Sequence, residues 1–421
     1  MATIFVVKDS PGGGEYASVN LAAAASIADG DTISIEGTWA SDDTTSVSIN
    51  HSTTIITDSD SKNPGYVPAS PTHYRHREAS GHAFTLGADL TITGVDIGSQ
   101  STGVSDELFR VATNTIDLVA TDCLFWFDAR TDQQDVIYTN AKASITASFT
   151  NCAFWNIYRS IYDAYLGSGT NIAEFNSCTG YDIGNEQASG GRSGVVGISS
   201  SSTFTINMFN CAWHMGTETT MSSVLTATTG GTVTFTAVDV LTNTSSGDPA
   251  FSINVDTETL TRVDYDYTFT AGTPTTGDYV AVNDITGGAM DLRLQDHADN
   301  DAQDNHTNGS GAGLTMPATD IVGTSRPVNT NYDIGFFEVG AGGGGEETAL
   351  PSNGIIEFEG NVPSLEVIND IASTTGSIEF EGNTPTVEVI TAAEVVAPLV
   401  GEFRYIGNVA TVEVIHDILP A

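Results

Sequence analysis

The chain reads as an all-β protein: a parallel β-helix, or solenoid, with a short N-terminal capping helix and a small C-terminal module of β-hairpin repeats. Three observations predict this. Short strands of alternating hydropathy, separated by Gly, Asn, Asp, Ser and Thr, fill most of the 421 residues. An anchor recurs at positions 97, 123, 152, 178, 211, 240 and 267, in steps of 26, 29, 26, 33, 29 and 27 residues. A glycine run at 340–345 then separates this series from a second, shorter repeat. A period in the twenties with polar turns is what stacked coils require. Each coil pairs with those above and below, roughly 4.8 Å away, while outward loops vary in length.

The elements follow in order. Thr3-Ile4-Phe5-Val6-Val7 reads as a strand and Pro11-Gly12-Gly13-Gly14 as a turn. The stretch from Ala17 to Ile27, with its run Leu21-Ala22-Ala23-Ala24-Ala25, is the one convincing helix, placed to cap the first coil. Gly30-Asp31 ends it, and Thr32-Ile33-Ser34-Ile35 alternates as a half-buried strand. The anchors then appear in Val95-Asp96-Ile97, Thr121-Asp122-Cys123, Thr150-Asn151-Cys152, Asn176-Ser177-Cys178, Phe209-Asn210-Cys211, Val238-Asp239-Val240 and Tyr265-Asp266-Tyr267. Apolar alternation precedes them, as in Phe204, Ile206 and Met208.

Charge narrows the partners. Thirteen Lys and Arg stand against 53 Asp and Glu, a net of −40. Such a field repels phosphate backbones and anionic lipid, so neither a nucleic acid nor a membrane is an expected partner. It favours cations or cationic surfaces. With 40% hydrophobic residues the chain is not a disordered acidic tail. It has no run of 18 apolar residues, and residues 1–30 lack the basic start and apolar core of a secretory signal.

Chemistry-bearing clusters are few. Lys8, Lys62, Lys142 and ten arginines fall in no catalytic motif, so no catalytic or cofactor-binding residue is assigned. Asp42-Asp43 reads as a solvated turn. The four cysteines have no zinc spacing and read as an inward stack of reduced thiols. Asp296, Asp299, Asp301 and Asp304 form the most ligand-rich segment. They are candidates for Ca²⁺, without the EF-hand Gly and closing Glu; a solvated loop is the alternative. His73-Tyr74-Arg75-His76-Arg77, after Pro64, Pro68 and Pro71, is the one basic aromatic cluster. It reads as an inserted surface loop that either pairs locally or meets an acidic patch on a neighbouring subunit. The aromatics Phe125-Trp126, Phe154-Trp155 and Trp213-His214 pack coil on coil or form a stacking ladder for sugars.

The opening Gly12-Gly13-Gly14-Glu15-Tyr16-Ala17-Ser18-Val19, the Ala-rich helix and Gly30-Asp31-Thr32-Ile33 resemble the first coil of right-handed parallel β-helix proteins of the pectin-lyase-like superfamily. Asp291-Leu292-Arg293-Leu294, the segment Asp320 to Pro327 and Tyr332 to Glu338 resemble the closing coils of that group. The resemblance covers about residues 3–339 and implies a right-handed solenoid over 1–339. It implies no activity, because the scaffold hosts many functions and the motifs of its galacturonases and esterases are absent. Arg326-Pro327 is expected to stabilise the end of the solenoid.

After the linker, 340–353, come three short repeats in 354–421. Their turns are Gly360-Asn361 with Pro363, Gly382-Asn383 with Pro385, and Gly407-Asn408 with Ala410 in place of proline. Each reads as a hairpin, marginal alone, so three together or three copies in an oligomer are expected to form the module. These repeats are similar to segments of tailed-phage virion proteins. That resemblance implies a structural protein on the virion surface, either a capsid decoration or head fibre, or a tail fibre or spike. The turn residues would then serve assembly, a homotrimer and other virion proteins would be the partners, and host-surface polysaccharide a further contact. A polysaccharide-degrading or carbohydrate-binding protein and a secreted, extracellular adhesin are the alternative classes.

Overall fold

The computed structural model describes most of residues 2–338, with gaps in loops and over 267–278, 282–290 and 295–309, and six strands between 355 and 416. The chain divides into two compact units, Met1–Gly344 and Gly345–Ala421. Both are built on parallel sheets, and Val19–Ala24 is the only helix among the described residues.

The first unit has the pairing of a parallel β-helix. One column of strands starts at Ile4–Val7 and continues through Asp31–Ile35, Thr53–Thr57, Leu90–Thr93, Ile116–Thr121, Ile145–Thr150 and Thr170–Asn176. A second holds Arg75–Glu78, Asp96–Ser99, Leu124–Phe127, Ala153–Trp155 and Thr179–Ile183. The long strand Thr203–Met215 pairs with both columns and joins them into one bent sheet, continued by Thr232–Thr242 and Thr257–Asp266. A third column of eight strands runs from Val47–Ile49 to Ser252–Ile253.

Register makes the core continuous. Ile33, Ile55, Ile92, Ala120, Phe149, Phe175, Met208 and Ala237 occupy one register position in successive coils, and all are buried. The period of two turns their neighbours outward, which is why the strands alternate. The aromatic ladder joins in: Phe84 stacks on Phe109, and Phe149 on Phe175 at 5.3 Å between centroids. No single coil could bury these rings alone.

The corner between the first two columns explains the polar residue before each anchor. Gly94, Asp122, Asn151, Ser177 and Asn210 hold φ of 77°, 54°, 52°, 55° and 55°. Glycine adopts this left-handed conformation readily, and Asn and Asp tolerate it better than most residues. The N–H of the first four donates to the next coil: Gly94 to Thr121, Asp122 to Thr150, Asn151 to Asn176 and Ser177 to Phe209. At these four corners the turn therefore keeps the N–H hydrogen bond to the next coil.

Two anchors are corrected by this register. Ile97 pairs with Phe125, so Val95 and not Ile97 stands at the position of Cys123. Val240 pairs with Asp264 rather than Tyr267. Val95 and Ile97 are two residues apart and both apolar, so hydropathy alone cannot choose between them; Tyr267 lies outside the described residues.

The expected closing coils are also corrected. Among the described residues, no strand within 310–338 joins the three columns; Ser310–Gly311 and Leu314–Thr315 pair only with each other. The segment instead lies against the outer face of the second column, where Ile321, Ile334 and Phe336 pack with Leu124, Trp126, Ala153, Trp155 and Ala212. Asn176 Nδ2 donates to Thr315 O at 2.7 Å, Asn151 Nδ2 to Thr319 O at 2.8 Å, and Gly335 N to Asn210 O at 3.1 Å.

The expected hairpins give way to another pairing. In the second unit Ile355–Glu359, Ser377–Glu381 and Phe403–Ile406 form one parallel sheet, and Leu365–Asn369, Thr386–Thr391 and Thr411–His416 form another. Among the described residues, strands of one repeat pair with equivalents in the next and not with each other. A Gly-Asn turn between alternating strands is the same signal in a hairpin and in a coil.

Candidate functional site

The basic cluster and the aspartate pair come together on the outer face of the second column. Arg75–Glu78 is a strand of that column, not a loop, and its period of two sends Arg75 and Arg77 outward. Asp42 grips both: Arg75 Nε and Nη2 donate to its carboxylate at 2.7 and 3.1 Å, and Arg77 Nη1 at 3.4 Å. Arg77 also pairs with Asp128, and both guanidinium groups lie 5.6 Å from the centroid of the Trp126 ring. Trp126 Nε1 donates to Asp96, whose other oxygen lies 3.1 Å from His73 Nε2. Arg75, His73, Asp96 and Trp126 are all buried.

Asp43 faces the other way. Its carboxylate accepts from Val19 N at 3.1 Å, Thr45 N at 3.2 Å and Tyr74 OH at 3.2 Å, so it ties the first turn of the helix to the solenoid. The solvated-turn reading of Asp42-Asp43 is therefore corrected. The bonding partners Arg75 and Tyr74 lie more than thirty residues away in sequence, where no local pattern registers them. Burial, with the Asp43 charge beside it, pushes the Tyr74 hydroxyl well above its ordinary range. Burial holds the His76 imidazole below its ordinary 6.5 against the opposing pull of Asp43, Glu78 and Asp42.

A second ionic cluster lies in the third column. Arg159 Nε donates to Asp135 Oδ1 at 3.0 Å, its Nη2 pairs with both Asp135 and Asp163, and Ser160 donates to Asp135 from N and Oγ. All four residues are buried.

Trp126 and Trp155 do stack in register, as a ladder continued by Tyr181 and His214. Yet both tryptophans are fully buried, Trp155 beneath Ile321, Ile334 and Phe336. Trp213 points inward to Phe154 and Phe175. The rings are packing groups; the sugar-ladder reading is not met by these faces. Cys123, Cys152, Cys178 and Cys211 are free and buried, with each Sγ beside the carbonyl two residues before it. Burial pushes the Cys152 and Cys211 thiols well above their ordinary range.

The open surface among the described residues includes two features. The outer face of the first column carries Thr32, Thr54, Thr91, Val119, Ser148, Glu174, Asn207 and Thr236 at one register position, none of them buried. The other is a groove of about 550 Å³ between the first two coils, lined by Lys8, Asp9, Ser10, Glu36 and Trp39. Lys8 Nζ sits 2.8 Å from Glu15 and 3.6 Å from Glu36. Trp39 is buried, and its Nε1 has no hydrogen-bond partner among the described residues. Nothing in the sequence marked this groove, because its two walls belong to different coils.

Asp296, Asp299, Asp301 and Asp304 lie outside the described residues, as do Gly360, Asn361, Pro363, Gly382, Asn383, Pro385, Gly407 and Asn408. Among the described residues, no cluster of three or more His, Cys, Asp or Glu is arranged to hold a metal ion. No described helix is long and apolar enough to cross a membrane.

No protein-family model matches the chain, and no curated protein or solved structure is significantly similar to it. The functional reading therefore rests on the architecture.

Proposed function

We propose that this chain is a structural protein on the surface of a tailed-phage virion, a capsid decoration or head fibre, or a tail fibre or spike. One observation carries the reading: among the described residues, parallel strand-to-strand pairing connects successive coils from Ile4 to Asp266, with local register shifts in two pairings, and a separate unit of tandem parallel coils follows. Such a shaft has its backbone hydrogen bonds satisfied between coils and offers proteases few open edges. In this reading the solenoid is right-handed and Val19–Ala24 caps its first coil. The C-terminal coils attach the chain to other virion proteins or further copies, with a trimer as the expected state.

The test is immunogold labelling of purified phage particles with antibody against the full chain. Labelled heads or tails are the expected result and also separate the two locations. A chain recovered only in the particle-free fraction overturns the proposal.

A glycan-contacting role is favoured by the groove beside Trp39. Lys8, Asp9 and Glu36 supply donors and acceptors for sugar hydroxyls above a buried indole, in a volume within the usual range for small-ligand sites. Binding of host-surface polysaccharide lost in Lys8→Ala, with the thermal unfolding unchanged, is the expected outcome. Binding unaffected by this substitution removes the groove from consideration.

A further inference from the structure

The groove beside Trp39 is built from two segments that leave successive coils. Lys8 and Asp9 follow the strand Ile4–Val7, and Glu36 to Ala40 follow Asp31–Ile35, its parallel partner. Hydrogen bonds hold these walls in place. Gly37 N donates to Asp58 Oδ2 at 3.0 Å, and Gly37 O accepts from Ser61 Oγ at 2.7 Å. Glu36 N donates to Val7 O at 3.0 Å, and Lys8 N to Tyr16 O at 2.9 Å. Trp39 lines the groove and sits edge-on against Tyr74, with 4.8 Å between ring centroids. Only 4% of its surface is exposed. An indole has one polar atom, the Nε1 donor. In Trp39 that atom is buried and has no hydrogen-bond partner among the described residues.

The other polar groups select against charge on the ligand. Lys8 Nζ is already matched by Glu15 at 2.8 Å and Glu36 at 3.6 Å. Ser34 Oγ donates to Glu36 Oε1 and Ser41 Oγ to Asp9 Oδ1, each at 3.1 Å. One cation thus stands among the carboxylates of Asp9, Glu15 and Glu36, on a chain of net charge −40. A uronate, or a sulfated or phosphorylated sugar, is repelled by that field. What the groove lacks is an acceptor for Trp39 Nε1. The kind of acceptor matters because this atom is shielded from water. A hydroxyl would bring its own O–H into the same dry position, where an unpaired donor is costly. A carbonyl oxygen only accepts, so it adds no unpaired group.

We propose that this groove binds a neutral glycan through the acetamido group of an N-acetylated hexosamine, whose carbonyl oxygen accepts from Trp39 Nε1. The N–H of the same group is a donor, and Asp9 and Glu36 are the acceptors beside it. Its methyl group finds apolar lining in Trp39 and Ala40. Ring hydroxyls bond to Lys8 and to the free carboxylate lone pairs. The inference rests on the glycan-contacting reading of the groove and names the class of sugar; it is independent of where the chain sits on a particle.

The experiment is a titration of the full-length chain with three trisaccharides of one linkage, built from N-acetylglucosamine, glucosamine or glucose. Calorimetry reads the affinity, and NMR reads the indole N–H signals. The N-acetylated trimer is expected to bind about tenfold more tightly than the glucose trimer, because only it satisfies the buried donor with a pure acceptor. It is also expected to shift the Trp39 N–H signal, which the glucose trimer leaves in place. Trp39→Phe keeps an aromatic ring without the N–H and is expected to bind the two trimers equally. The wild-type preference and signal decide the question even where that variant is unstable. Equal affinity of the wild type for both trimers, or a bound N-acetylated trimer that leaves the Trp39 signal unmoved, overturns the inference and leaves the glycan reading standing. Tightest binding of the cationic glucosamine trimer also overturns it, since the acidic rim alone would then select the ligand. No binding of any trimer removes both the inference and the glycan reading of the groove.

Discussion

The cysteines show what a single position must satisfy inside a stacked coil. Each follows a corner residue with a positive φ of 52–55°, and each is fully buried in the core. Identical placement in four coils keeps them as small apolar groups rather than disulfides. We expect a thiol reagent to modify less than one cysteine per native chain and all four after denaturation. Substantial labelling of the native chain would contradict the burial. The buried ionic cluster predicts a larger effect. Arg159→Met leaves Asp135 and Asp163 without their counter-ion, and breaking one side of a buried pair costs about 3–5 kcal/mol. Chemical denaturation should show a loss of that size; a change under about 1 kcal/mol would mean water already reaches the site. His76 sets a pH dependence. Burial lowers its folded pKa, so the unfolded chain binds the proton more readily. Its contribution is complete above the ordinary 6.5 and is lost as pH falls below it. The melting temperature is expected to drop through that window, and His76→Gln to flatten the drop.

At the scale of elements, the corner and the covering segment decide the shape. The outward ladder Arg77, Gly98, Trp126, Trp155 needs a glycine at its second rung, because a Cβ on Gly98 would lie 2.2 Å from the Trp126 ring. Gly98→Ala should cost about 1–3 kcal/mol as an overpacking change and alter Trp126 fluorescence. An unchanged spectrum and stability would show that the indole can move aside. The covering segment is testable through Phe336, which packs in the same cluster as Trp155. Phe336→Ala should destabilise by about 3–5 kcal/mol and shift tryptophan emission to the red. Emission that stays at the wild-type wavelength would mean that other residues keep water off Trp155. The repeat was legible in the sequence because a polar residue recurs before Cys123, Cys152, Cys178 and Cys211, and in the structure those four residues hold the left-handed corner. The cover was not, since Asn151 and Thr319 meet across 168 residues and no local period records such a contact.

Across the whole molecule, charge and architecture oppose each other. A net charge of −40 repels itself, while the solenoid holds its strands within a few ångströms of one another. Raising salt from about 0.01 M to 0.5 M shortens the screening length from roughly 30 Å to under 10 Å. Thermal stability is expected to rise over that range. A fall would indicate that specific ion pairs such as Lys8–Glu15 outweigh the general repulsion.

What the sequence by itself determined is the repeating part of the protein. Period-two hydropathy along each strand and a turn every twenty-odd residues specify stacked coils, because both are local properties of the chain. The corner residues and the inward cysteines belong to the same class. The tertiary structure alone decided the rest. Asp42 became the counter-ion of two arginines, Asp43 an anchor for the helix, and Trp155 a covered packing group instead of an exposed platform. It also decided that the three short repeats stack as coils rather than fold as hairpins. Each of these depends on which distant strand or segment lies alongside, and that choice is made by burial and pairing summed over the whole chain.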